Sequence, residues 1–127
     1  MNVTKYVADW LARASEDLDV VALLLREQGS ANTACFHAQQ AAEKLLKGFL
    51  AHHERHVRKV HDLKVLLTAC AEIDHSCEQL RDDVAYLSKF YIEARYPSDI
   101  SEFSLEEAKK AHEAASRIRE FIHEKLS

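Results

Sequence analysis

The chain has two glycines and one proline among 127 residues. That scarcity constrains the fold more than any other feature. Turns and strand breaks draw on residues that reach left-handed backbone conformations or interrupt hydrogen-bonded ladders, whereas long helices exclude them. The expected fold class is therefore all-α, an up-and-down four-helix bundle with a short additional helix. The length suits a single domain, residues 1–127, with a core of real size.

Apolar periodicity divides the chain into five helices. Val7, Trp10, Ala14, Leu18, Val21 and Leu25 recur at three- and four-residue steps, which predicts a helix over 4–27 with these residues on one face. Gly29 marks its end as a C-terminal glycine. A second helix over 30–53 is apolar over a wide arc, through Ala34, Ala38, Ala41, Ala42, Leu45, Leu46, Phe49 and Leu50. Such a helix lies centrally, and its alanines let a neighbour come close. After a charged connection, a short helix over 61–72 turns Leu63, Leu66, Leu67 and Cys70 inward. Ser76 and Gln79 have the spacing of a capping box, which predicts a fourth helix from there with Leu80, Val84, Leu87 and Tyr91 as its stripe. Pro97 disfavours helix at Tyr96, so this helix should stop near Arg95. Ser104 and Glu107 form a second capping box, before a last helix to Lys125 with Ala108, Ala111, Ala115, Ile118 and Ile122 on one face.

Composition excludes several classes. A net charge of -4 does not suit a general nucleic-acid binder, although a local basic patch remains compatible with it. No apolar run is long enough to span a bilayer, so no membrane association is expected. The N-terminal residues do not read as a signal peptide. Cys35, Cys70 and Cys77 cannot all pair within one chain, and their spacing is not that of a zinc site. They read as reduced thiols, mostly buried, in a cytoplasmic protein.

Arg95 extends the fourth helix's apolar stripe to its end, beside Tyr96 and Pro97. A guanidinium there either caps the last carbonyls or binds phosphate through its forked donors. The segment Arg55-His56-Val57-Arg58-Lys59-Val60-His61-Asp62 gathers basic residues in an otherwise acidic chain. It is either a solvated loop or a phosphate-holding one. Asp62 suits the cap of the short helix, and His61 could anchor the loop by a hydrogen bond. His52, His53, His56 and His61 lack the carboxylate or thiolate that would complete a metal-ligand set, so no metal is expected. On the second helix, His37, Gln40, Lys44 and Lys47 share a polar edge, read as helix surface or subunit contact before ligand site. Tyr86, Tyr91 and Tyr96 read as core or interface aromatics rather than base-stacking platforms.

Three blocks, in this order and spacing, resemble the HEPN family of small helical domains. They are residues Cys35 to Lys47, the triplet His61-Asp62-Leu63, and Tyr91 to Pro97. The resemblance covers most of the chain. It implies a four-helix core with a short fifth helix, a homodimer, and association with nucleotide or RNA. It also implies a toxin–antitoxin-like pairing with a minimal nucleotidyltransferase, of which this chain would be the partner and not the transferase. No cofactor is implied. Many members carry an Arg and a His separated by four to six residues that serve metal-independent RNA cleavage. Arg95 looks like that Arg, but residues 96–102 contain no His. Arg55 with His61, and Arg117 with His123, meet the bare spacing at positions that do not match.

The expected function is thus that of a nucleotide- or RNA-associated accessory protein. Its expected binding set is Arg95, Tyr96, Arg55, Arg58, Lys59, His61 and Lys44. The alternatives are a ribonuclease using Arg95 and His61, and a helical interaction module without a small ligand.

Overall fold

A computed structural model describes residues 3–57, 59–91 and 102–127. Among these there are five α-helices and no strand: α1 (Lys5–Arg26), α2 (Ala31–His52), α3 (Leu63–Ile73), α4 (Arg81–Ser88) and α5 (Leu105–Lys125). A 3-10 turn, His75–Leu80, leads into α4. No described helix is long and apolar enough to cross a membrane.

Local chemistry sets most of the helix ends. Thr4, Ser30 and Asp62 each accept a hydrogen bond from a backbone amide of the first turn they precede, as N-cap residues do. At α5 the capping box is complete. The Ser104 hydroxyl accepts from the Glu107 amide at 3.0 Å, and the Glu107 carboxylate accepts from the Ser104 amide at 3.1 Å. The end of α1 differs from expectation. The left-handed residue is Gln28, with φ of 52°, and not Gly29. Gly29 instead brings its amide to the Leu24 carbonyl at 2.7 Å. A Cβ there would stand 2.8 Å from Leu24 Cδ2, so the missing side chain serves close approach.

The fourth helix departs most from the sequence reading. The expected capping box at Ser76 and Gln79 does not form. Asp74 captures both the Ser76 amide and the Ser76 hydroxyl, at 3.0 and 2.6 Å, and winds the following residues as a 3-10 turn. The Ser76 hydroxyl and Lys125 hold the Asp74 carboxyl down at about 2. The helix expected to run to Arg95 stops at Ser88. Its hydroxyl donates back to the Val84 carbonyl at 2.8 Å, a local bond that competes with helix continuation. Phe90, not Tyr91, then takes the interior position. It packs edge-on against Tyr86 and Phe103.

α2 is the central element and touches α1, α3, α4 and α5. Its Ala34, Ala38, Ala41 and Ala42 are fully buried. Gly48 continues this face: a Cβ there would meet Leu11 Cδ2 at 3.2 Å and Trp10 Cβ at 3.3 Å. The remaining core is as the periodicity placed it, with Leu63, Leu66, Leu67 and Cys70 from α3 and Ala108, Ala111, Ala115, Ile118 and Ile122 from α5. Trp10 is only half-buried and lies over Lys47, with Nζ 5.7 Å from its ring centre.

Gly48→Ala gains roughly 1 kcal/mol of helix propensity against two tight contacts, so urea denaturation should show a change near zero. Gly48→Leu should lose about 1–3 kcal/mol by overpacking. A leucine variant as stable as the parent would show that residue 48 does not limit the approach of α1 to α2.

Cys35, Cys70 and Cys77 are free and buried. Burial raises all three thiols, Cys35 and Cys77 each to about 11. Because the folded values are raised, their contribution to stability is whole below the unfolded thiol range, near 9. It is lost as pH climbs toward 11. Urea midpoints should therefore fall over this window. An aromatic disulfide reagent at pH 8 should label none of the thiols until the protein is unfolded. Rapid labelling of the native protein would contradict the burial.

Candidate functional site

Four-residue spacing places Gln39, Glu43 and Lys47 one above the other on α2. All three are buried, at 0, 5 and 3% exposure, in a helix face otherwise apolar. A buried charge needs partners, and Glu43 has two. Its Oε2 accepts from Lys47 Nζ at 3.0 Å and lies 3.1 Å from His61 Nδ1. A carboxylate only accepts, so the ring nitrogen facing it is the donor, and Nε2 carries the lone pair only in the neutral ring. Glu43 Oε1 and the Gln39 side-chain nitrogen have no hydrogen-bond partner among the described residues.

His61 closes this file from the connection before α3. Its ring lies nearly parallel to that of Tyr91, at 14° and 6.0 Å between centres. Beside the pair opens a cleft of about 510 Å³. Gln39 lines it from α2, His61 to Lys64 from the start of α3, and Ser88 with Tyr91 from the end of α4. Asp62 keeps its capping role there, accepting from the Lys64 amide at 2.9 Å.

A second polar cluster joins α1 to α2. Asp17, 8% exposed, takes His37 Nδ1 on one oxygen at 2.9 Å and Lys44 Nζ on the other. The expected polar edge of α2 is therefore split. His37 and Lys44 face α1, while Lys47 belongs to the buried file with Glu43.

The expected binding residues are not all gathered in one place. His61 lines the cleft. Arg55 pairs with Glu72 of α3 at 3.3 Å, and Lys44 with Asp17. Lys59 is exposed. Arg58, Arg95 and Tyr96 lie outside the described residues. Neither chance Arg–His spacing forms a joint site. Arg55 and His61 are held by different carboxylates, and Arg117 is bound in a fork by Asp83, at 2.8 and 3.0 Å. Of the histidines before the cleft, His52 and His53 stand edge-on at 5.1 Å, and His56 lies 6.0 Å from the Tyr6 ring. No group of three metal-ligating side chains occurs among the described residues.

Gln39 and Glu43 are the site residues that sequence reasoning missed. The available signal was their spacing with Lys47, which sets a polar file inside an apolar arc. Their pairing with His61 was not available, because that residue comes from another segment.

A family model of the HEPN domain matches residues 7–126. The fold is similar to that of TT1696 from Thermus thermophilus, with 31% identity and a TM-score of 0.84 over 96% of this chain and 99% of that one. It is also similar to ST0689, an archaeal HEPN homologue, with 24% identity and a TM-score of 0.77 over 95% and 98%. At the latter identity the likeness concerns the fold alone. No curated protein matches. The helices and the family match agree, and the chain belongs to the HEPN domain family, whose members are associated with nucleotides and RNA.

Proposed function

We propose that this HEPN protein binds a nucleotide, free or within RNA. It does so as the accessory, regulatory member of a toxin–antitoxin-like pair with a minimal nucleotidyltransferase. The observation that carries the binding reading is the cleft beside His61 and Tyr91, with its aromatic wall and a buried amide donor that lacks a partner among the described residues. Small-ligand sites combine a concave, largely apolar wall with a few such polar groups, commonly within about 300–1,000 Å³.

Phosphate recognition needs cations, and the sequence supplies them around the residues of the cleft. Arg58 and Lys59 precede His61, Lys64 lines the wall, and Arg95 and Tyr96 follow Tyr91. Among the described residues Arg55 is held by an exposed pair with Glu72, and such pairs are worth about 0–1 kcal/mol. It can exchange that partner for a phosphate. Lys44 is the weakest member of the set, since it is half-buried and held by Asp17.

One observation favours a second reading, metal-independent RNA cleavage by His61 with Arg95. Glu43 orients the His61 ring through Nδ1, so that in the neutral ring Nε2 has the disposition a general base requires. Arg95 could stabilise developing charge but stays protonated and cannot serve as the base. No His follows Arg95 where family members carry one, so binding is the primary reading.

The two readings separate in one set of assays on the parent, Arg95→Ala and His61→Ala. Calorimetric titration with mononucleotides and metal-free incubation with unstructured RNA are run on each. Binding should weaken about tenfold in Arg95→Ala, the scale of one charge-assisted hydrogen bond. RNA should remain intact. If Arg95→Ala lowers the melting temperature and leaves binding unchanged, Arg95 is a structural cap. Strong cleavage lost in both variants would make the nuclease reading primary.

We also propose a homodimer, the state the family resemblance implies, with the second copy packed on surfaces other than the apolar face of α2, which one chain already buries. Light scattering at micromolar concentration should then give about twice the 14.5 kDa chain mass. A monomer across that range would refute it.

A further inference from the structure

We infer that the cleft recognises its ligand by the base, with the ring of a nucleobase laid on the His61–Tyr91 surface and its edge accepting a hydrogen bond from Gln39. The inference rests on the nucleotide-binding reading and assigns the parts of the ligand within it.

Tyr91 is free for this role because the core does not use it. The neighbouring aromatic, Phe90, is 1% exposed and fills the interior between Tyr86 and Phe103. Tyr91 is half-buried and turns to His61 instead, at an interplanar angle of 14°. Two stacked, near-parallel rings beside the cleft leave an outer ring face on which a third ring can be laid. Base–aromatic stacking needs such a face and tolerates any base.

Gln39 supplies the polar complement. Its Oε1 already accepts from Gln40 Nε2 at 2.7 Å. Its own nitrogen is buried and has no partner among the described residues. Gln39 lines the cleft, and of its two polar atoms the nitrogen is the one still without a partner there, while the oxygen keeps a second lone pair. A buried donor without a partner is costly, and a ring nitrogen or carbonyl of a base would remove that cost.

Asp62 decides the orientation. It lines the same wall and repels a phosphate placed beside it, whereas a base is neutral, and Lys64, exposed on that wall, takes the phosphate on the solvent side. The base therefore sits inside and the phosphate outside. Leu63, buried on the same wall, extends the apolar floor.

The test compares AMP, CMP, GMP and UMP with ribose 5-phosphate by calorimetry. A tetranucleotide RNA and its abasic counterpart repeat the comparison for a base held in a chain. Variants are Tyr91→Leu, Tyr91→Phe and Gln39→Met, each checked by circular dichroism. Base-bearing ligands should bind at least about tenfold more tightly than their base-free counterparts. Tyr91→Leu should remove most of that margin, and Tyr91→Phe should keep it. Gln39→Met should lose about fivefold or more. If that buried change prevents folding, the Tyr91 pair decides. Ribose 5-phosphate binding as well as AMP, or Tyr91→Leu binding like the parent, overturns base recognition and leaves phosphate binding standing. Absence of binding by every nucleotide and RNA overturns both.

Discussion

Glu43 is the charge on which the arrangement of the cleft depends. It sits buried on the central helix and takes Lys47 from its own helix and His61 from the connection to α3. Removing water from a carboxylate costs several kcal/mol, and only close partners return it. Losing one partner of such a pair costs about 3–5 kcal/mol, because the other charge is left buried alone. His61 is thereby anchored, the ring of Tyr91 finds its stacking surface, and the cleft acquires its wall. Asp17 plays the corresponding part between α1 and α2, where one carboxylate serves both His37 and Lys44.

The end of α4 determines how the aromatic residues are shared between core and cleft. A helix continued past Ser88 would keep Tyr91 on the stripe of Val84 and Leu87. The Ser88 hydroxyl bond to Val84 and the turn from Leu87 to Phe90 move the register instead. Phe90 goes inward, and Tyr91 goes to His61. One short backbone change thus gives the core its phenylalanine and the cleft its tyrosine. The tyrosine suits the half-buried place because one end of its ring carries a polar group.

Much of the fold was legible because its signals are local. Helix ends at Thr4, Ser30, Asp62 and the Ser104–Glu107 box follow from side chains a few residues away. The core positions of α2, α3 and α5 follow from periodicity. Local signals misled where two of them competed. Ser76 and Gln79 had the right spacing for a capping box, but Asp74 reached Ser76 first. Gly29 looked like the left-handed residue after α1, but Gln28 adopts that conformation and Gly29 supplies clearance for Leu24. On α2 the sequence showed polar residues at helical spacing and could not sort them. Lys44 and Lys47 are three apart on one helix, yet one faces Asp17 and the other Glu43.

By itself, the sequence determined the all-α class, the family and most of the interior, since those depend on residue type, spacing and caps within single segments. Tertiary structure alone decided that Gln39 and Glu43 are buried beside His61, that Tyr91 leaves the core, and that Arg55 turns to Glu72. These outcomes depend on which distant segment arrives opposite each side chain. Burial then forces each buried charge to take whatever partner is within reach, a choice that no spacing within one helix encodes.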